Sequence, residues 1–195
     1  MISRNKKIIF SRLTLVVTCG VALIISGCSC FSGYKRAVVN EIDISFSFDY
    51  PSSYKESGRT SDSFLTEIVL ERYTPDRNIH KIDGQASVTI WKSLDYPNAT
   101  AYLEFCLKTL QSQWGEFKLH ERSTINVGGI DGEIIIYSGY FLTNVFTFDH
   151  IKCQEVFFDY KGMIWNITLF SDADAQKDES ESDFEHLIKS FKFLD

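Results

Sequence analysis

The sequence predicts an α+β domain, a largely antiparallel β-sheet flanked by helices. Three observations lead there. Apolar residues recur at period two in several segments joined by hairpin-length turns, and at helical spacing in only two long segments. Strand–helix–strand units that would build a parallel sheet are nearly absent. Some strand segments, such as Ile134 to Phe141, are apolar on both sides, so both faces of the sheet centre are expected to be covered.

Residues 28–40 read as a tether. Ile42, Ile44, Phe46 and Phe48 then alternate with Asp43, Ser45, Ser47 and Asp49, a half-buried strand that Tyr50-Pro51 stops before a turn at Ser52-Ser53-Tyr54. Phe64 to Tyr73 and Gln85 to Lys92 are the next strands, separated by Thr74-Pro75-Asp76, with a turn expected at Asp83-Gly84. Ala99, Leu103, Cys106, Leu110 and Trp114 share one face of a helix over Asn98 to Trp114, which Asn98 caps and Gly115 ends. Phe117 to Val127 is a strand, and Gly128-Gly129 and Gly132 are expected to turn the chain into Ile134 to Phe141. Asn144 to Tyr160 continues as strand with a bend near Asp149-His150, and Lys161-Gly162 is a tight turn into Met163 to Phe170. Ser182-Asp183-Phe184-Glu185 matches a capping box, opening a last helix whose apolar face is Phe184, Leu187 or Ile188, and Phe191. The count is about six or seven strands and two long helices over a single domain, 41–195.

The first 27 residues have the parts of an export leader. Arg4, Lys6, Lys7 and Arg12 form a basic start, Leu13 to Ile25 an uncharged apolar run, and Ser26-Gly27 supply small residues before Cys28. At 1.5 Å per residue that run spans about 20 Å, short of the roughly 30 Å hydrocarbon core. Ile25-Ser26-Gly27-Cys28 resembles the lipobox of bacterial lipoproteins. The resemblance implies signal peptidase II cleavage between Gly27 and Cys28 and a diacylglyceryl group on the Cys28 sulfur, which supplies the two chains that stable anchoring needs. Ser29, in place of Asp, would favour the outer membrane in a Gram-negative host. Otherwise the outer face of the cell membrane is expected.

Loss of the leader removes four basic and no acidic residues, leaving 16 Lys+Arg against 26 Asp+Glu, a net charge of −10. That balance argues against nucleic acid and against anionic headgroups as partners. Of the five cysteines, Cys106 and Cys153 fall in apolar elements, where buried free thiols are favoured over a disulfide, and no Cys-x-x-Cys pair occurs.

Three stretches resemble the PsbP-like family, named for the extrinsic photosystem II subunit. They are Ile44 to Tyr54, a strand running into a proline turn; Ile125 to Glu133, a glycine-containing turn between strands; and Met163 to Phe193, a strand, an acidic connection and a helix. The resemblance implies an α/β/α sandwich on an antiparallel sheet and a non-catalytic binding or assembly role. No metal or partner residue is carried over.

Candidate chemistry is sparse. His80, His120, His150 and His186 have no local ligand spacing. No Gly-x-Ser-x-Gly elbow occurs, and Gly128-Gly129-Ile130-Asp131-Gly132 precedes a strand, not the helix that a phosphate loop opens. In the acidic run from Asp172 to Glu185, Asp172 and Asp174 are weak cation-ligand candidates, but Lys177 and Asp183 stand where a calcium loop needs Gly and Glu. A solvated connection favouring the next helix N-terminus accounts for the run. Phe141, Phe146, Phe148, Phe157, Phe158, Tyr160 and Trp165 are read as core, with a lipophilic pocket as the alternative. No cofactor is expected. The expectation is a membrane-tethered, non-catalytic interaction or assembly module with an envelope protein as partner. The alternative is an envelope carrier holding a small or lipophilic ligand between sheet and helix.

Overall fold

The computed structural model describes residues 33–40, 44–61, 65–73, 82–141, 150–174 and 179–194. The chain divides into two units, Met1–Lys35 and Arg36–Asp195, and the described residues lie almost wholly in the second. The fold is α+β, as the sequence predicts. The strands are β1 (Tyr34–Asn40), β2 (Ser45–Pro51), β3 (Lys55–Ser61), β4 (Leu65–Tyr73), β5 (Ile82–Trp91), β6 (Gly115–Val127), β7 (Ile130–Tyr140), β8 (His150–Tyr160), β9 (Met163–Asp172) and β10 (Lys192–Phe193). The helices are α1 (Ala99–Gln113) and α2 (Glu179–Ser190).

Seven strands form one antiparallel sheet in the order β3-β4-β5-β9-β8-β7-β6. α1 carries the chain from β5 to the far edge at β6, and three successive hairpins bring it back to β9 beside β5. Two of those hairpins turn through paired positive-φ residues, Gly128 (59°) with Gly129 (95°) and Lys161 (52°) with Gly162 (71°), the backbone twist that two-residue hairpin loops favour. A second, three-stranded sheet has the order β1-β2-β10.

Both faces of the centre of the large sheet are covered, while the edge strand β6 is largely exposed. On one face Ile68, Val88, Ile90, Val156, Trp165 and Ile167 pack with Phe46 and Phe48 of β2 and with Phe184, Leu187 and Phe191 of the α2 segment. Phe191 stacks on Phe46 (ring centroids 5.3 Å apart), which meets Trp165 edge-on at 5.2 Å. On the other face Ala99, Leu103 and Leu107 of α1 cover Ile135, Tyr137, Cys153, Phe157 and Ile164. The aromatic residues of the β8–β9 hairpin are thus divided between two cores on opposite faces of the sheet. Phe146 and Phe148 lie outside the described residues, and Phe141 packs on Trp114 at 5.2 Å while remaining exposed.

Several elements differ from the sequence reading. Residues 34–40 are strand β1 rather than tether, because Ala37 and Val39 alternate into the core while Arg36 and Val38 face out. β3 and β10 were not anticipated: β3 is a polar edge strand with a bulge between Glu56 and Gly58, a device that protects an edge, and β10 is only two residues long. Asp83-Gly84 is not a turn. Gly84 lies in β5 opposite Arg72, where an added Cβ would sit 2.6 Å from the Tyr54 hydroxyl oxygen. Gly132 likewise lies inside β7, pressed against the backbone of Phe157. Ser182 does not cap α2, which begins at Glu179 and leaves Ser182 within the helix. The Asn98 cap does form: its Oδ1 accepts the Ala101 N–H at 2.8 Å, and Asp159 accepts the Ala99 N–H at 3.0 Å. Gly115 is the first residue of β6 rather than a left-handed helix end; Trp114 closes the helix by donating its N–H to the Leu110 carbonyl at 2.9 Å, and the positive φ falls on Glu116 (52°).

Candidate functional site

Beyond the α2 segment, the β6–β7–β8 end of the large sheet carries an open cleft of about 590 Å³, within the usual range of small-ligand pockets. Strand register builds it. Lys118 of β6, Ser138 of β7 and Lys152 of β8 are direct cross-strand neighbours, so two lysines flank one serine on the same face. His120, Glu121, Ile136 and His150 extend the lining, with Glu116 and Glu181 at its rim. A bulge between Leu119 and Glu121 shifts the β6 register and brings both His120 and Glu121 to the cleft.

The polar groups are connected. His120 Nε2 lies 2.8 Å from the buried Ser138 Oγ. His150 Nδ1 meets Asp174 Oδ1 at 2.9 Å, and its ring stacks on Tyr140. Lys152 Nζ donates to Glu181 Oε1 of α2, and Ser123 Oγ donates to Glu121 Oε1 at 2.7 Å. Lys118 makes no hydrogen bond or ion pair among the described residues. Burial lowers the His120 pKa below its ordinary value, and the positive charges of Lys118, Lys152 and His150 lower it further. Gln154, next on this face of β8 and opposite Ile136, is 4% exposed, and its Nε2 has no hydrogen-bond partner among the described residues.

A second polar cluster lies under α1. Glu155 Oε1 accepts from Tyr137 Oη at 3.0 Å and from Cys153 Sγ at 3.5 Å. Burial pushes the Glu155 carboxyl up to about 7 and the Cys106 thiol up to about 11, and it raises Tyr137, Cys153 and Tyr102 as well. Cys106 and Cys153 are free thiols, the alternative the sequence favoured. A thiol kept protonated is a poor nucleophile, and both thiols pack within the core beneath α1.

The sequence-derived candidates are placed as follows. Cys28 and Gly27 lie outside the described residues, as does His80. Asp172 Oδ1 accepts the Asp174 N–H at 2.9 Å, and Asp174 is engaged by His150; no group of three metal-ligating side chains occurs among the described residues. His186 sits apart from the cleft, 3.9 Å from Asp49. The structure brings His120 and His150 together, which their separation of thirty residues does not reveal. Period-two placement of Lys118, His120, His150 and Lys152 on one face is the signal that was present, but strand pairing had to be known to use it.

The order of the sheet, with one helix on one face and a helix plus small sheet on the other, can be matched to solved structures. CyanoP, the cyanobacterial PsbP of Synechocystis sp. PCC 6803, aligns with a TM-score of 0.54 at 16% identity, over 84% of this chain and 94% of that one. The fold is PsbP-like. The PsbP-like fold also relates this chain to the Saccharomyces cerevisiae Ran-binding protein Mog1p, with a TM-score of 0.51 at 8% identity over 83% of this chain and 97% of that one. LpqN of Mycobacterium tuberculosis aligns with a TM-score of 0.49 at 14% identity, over 83% and 92% of the two chains. No protein-family model matches the sequence, and no curated protein matches it. No helix among the described residues is long and apolar enough to cross a membrane.

Proposed function

We propose that this chain is a non-catalytic interaction or assembly module of a bacterial cell envelope, tethered to a membrane through a lipidated Cys28. The observation that carries the binding reading is the closed core. The apolar space between α2 and the sheet, lined by Tyr54, Leu70, Phe184 and Leu187, amounts to about 10 Å³, room for about one water. A lipophilic ligand has no place there, which weighs against the carrier alternative and leaves the surface to do the binding. The PsbP-like fold agrees with this reading, since Mog1p bears the name of a Ran-binding protein. The lipobox-like run before Cys28 supports the tether.

The test is made in intact cells. Photo-crosslinking residues at the exposed Val38, Leu94, Phe105 and Leu194 sample several parts of the surface. Discrete adducts in the wild type that fade in Cys28→Ala are the expected result, because the tether raises local concentration near membrane partners. Absence of any adduct, together with a substrate turnover that one polar replacement abolishes without unfolding the domain, would overturn the reading in favour of an enzyme.

A further inference from the structure

We infer that the β6–β7–β8 cleft is an oxyanion site, in which the carboxylate or phosphate group of a small polar ligand seats over Ser138 between the Lys118 and Lys152 ammonium groups. Adjacent strands lie about 4.8 Å apart, so the two lysine Cα atoms are separated by about 10 Å, a span across which two long side chains converge on one anion. The Ser138 hydroxyl and the His120 ring stand on the floor between them, already in contact at 2.8 Å. Lys118, Lys152 and His150 are the cationic groups that act on His120, and Glu116, Glu121 and Glu181 share the lining with them. Lys118, exposed and without a counter-ion among the described residues, is the cation an oxyanion would engage.

The surrounding charges also limit what can bind. From β6, Glu116 and Glu121 border the cleft; from α2, Glu181 holds Lys152; after β9, Asp174 holds His150. Acids on these sides repel an extended polyanion such as nucleic acid and admit a compact group of one or two charges. Binding lends negative charge to His120 and stabilises its protonated form, so occupancy and acidification reinforce each other.

The experiment titrates the full chain with inorganic phosphate and, separately, with acetate, at ionic strength held constant with chloride. The ring signals of His120 and His150 are followed by NMR. The site predicts saturable shifts, a rise in the His120 pKa on adding the bound anion, and affinity weakened about tenfold or more in Lys118→Gln, the expected scale for losing a hydrogen bond to a charged group. Saturation by phosphate alone assigns a phosphate-bearing ligand, and saturation by acetate alone a carboxylate. Lack of saturation by either probe would overturn the inference. So would equal binding to wild type and Lys118→Gln, or shifts produced by zinc ions but by neither anion.

Discussion

Tyr137 and Glu155 meet diagonally across β7 and β8, the tyrosine hydroxyl donating to the carboxylate at 3.0 Å in a partly buried bond beneath α1. No lysine or arginine pairs with Glu155 among the described residues; the groups around it are Tyr137, Cys153, Tyr102 and Cys106. Burial therefore dominates, and the carboxyl is held up at about 7 from an ordinary 4.5. The folded state keeps this proton where the unfolded chain has released it. Its stabilising contribution is whole below about pH 4.5 and is lost as pH rises through 7. Glu155→Gln should flatten that part of the profile and be the more stable protein at pH 8. Urea unfolding of both proteins at pH 5 and pH 8 measures the difference, and a wild-type advantage that grows with pH would refute it.

Phe191 leaves the end of α2 and enters the core against Phe46, Phe48 and Trp165. Phe191→Ala should cost about 3–5 kcal/mol, the usual range for removing a buried ring. Phe105→Ala, at a half-exposed position on α1, should cost far less. The two are compared by denaturant midpoints at constant slope.

Gly132 is a steric rather than a conformational requirement. A Cβ there would lie 2.7 Å from the Phe157 carbonyl oxygen and 2.9 Å from the Phe158 Cβ, and neither atom is the free end of a flexible side chain. Gly132→Ala should destabilise by about 1–3 kcal/mol, as overpacking does. Thermal unfolding reads this directly.

Strand β1 contributes Ala37 and the fully buried Val39 to the core. A chain starting at Arg36 should therefore be more stable than one starting at Glu41, by at least about 2 kcal/mol from burial of the valine alone. Equal stability of the two would show that residues 36–40 behave as a tether after all.

Cys28→Ala should abolish incorporation of labelled fatty acid and release the protein from the membrane fraction, since anchoring rests on two acyl chains. Equal labelling of wild type and variant would remove the lipid anchor from the proposal.

Local chemistry by itself determined a good part of this molecule. Period-two alternation exposed the β2 strand, and helical spacing exposed α1 and the apolar face of α2, because each of these elements sets its apolar residues on one side; in β2 the polar side is also covered, with Ser47 buried. The Asn98 cap and the Lys161-Gly162 turn followed from side-chain and backbone preferences acting within a few residues. The apolar run of β7 is covered on one side, where Ile135 and Tyr137 lie under α1, whereas Ile136 on the other side lines the open cleft. What tertiary structure decided was everything set by partners distant in the chain. β3 and β10 have no apolar period of their own and exist because β4 and β2 offer backbone hydrogen bonds. Gly84 and Gly132 read as turns because glycine is usually placed for its φ, whereas here it is placed for close approach of another segment. The pairing of Lys118 with Lys152 across Ser138 depends on the register of three strands, and a one-residue slip would send these side chains to the opposite face.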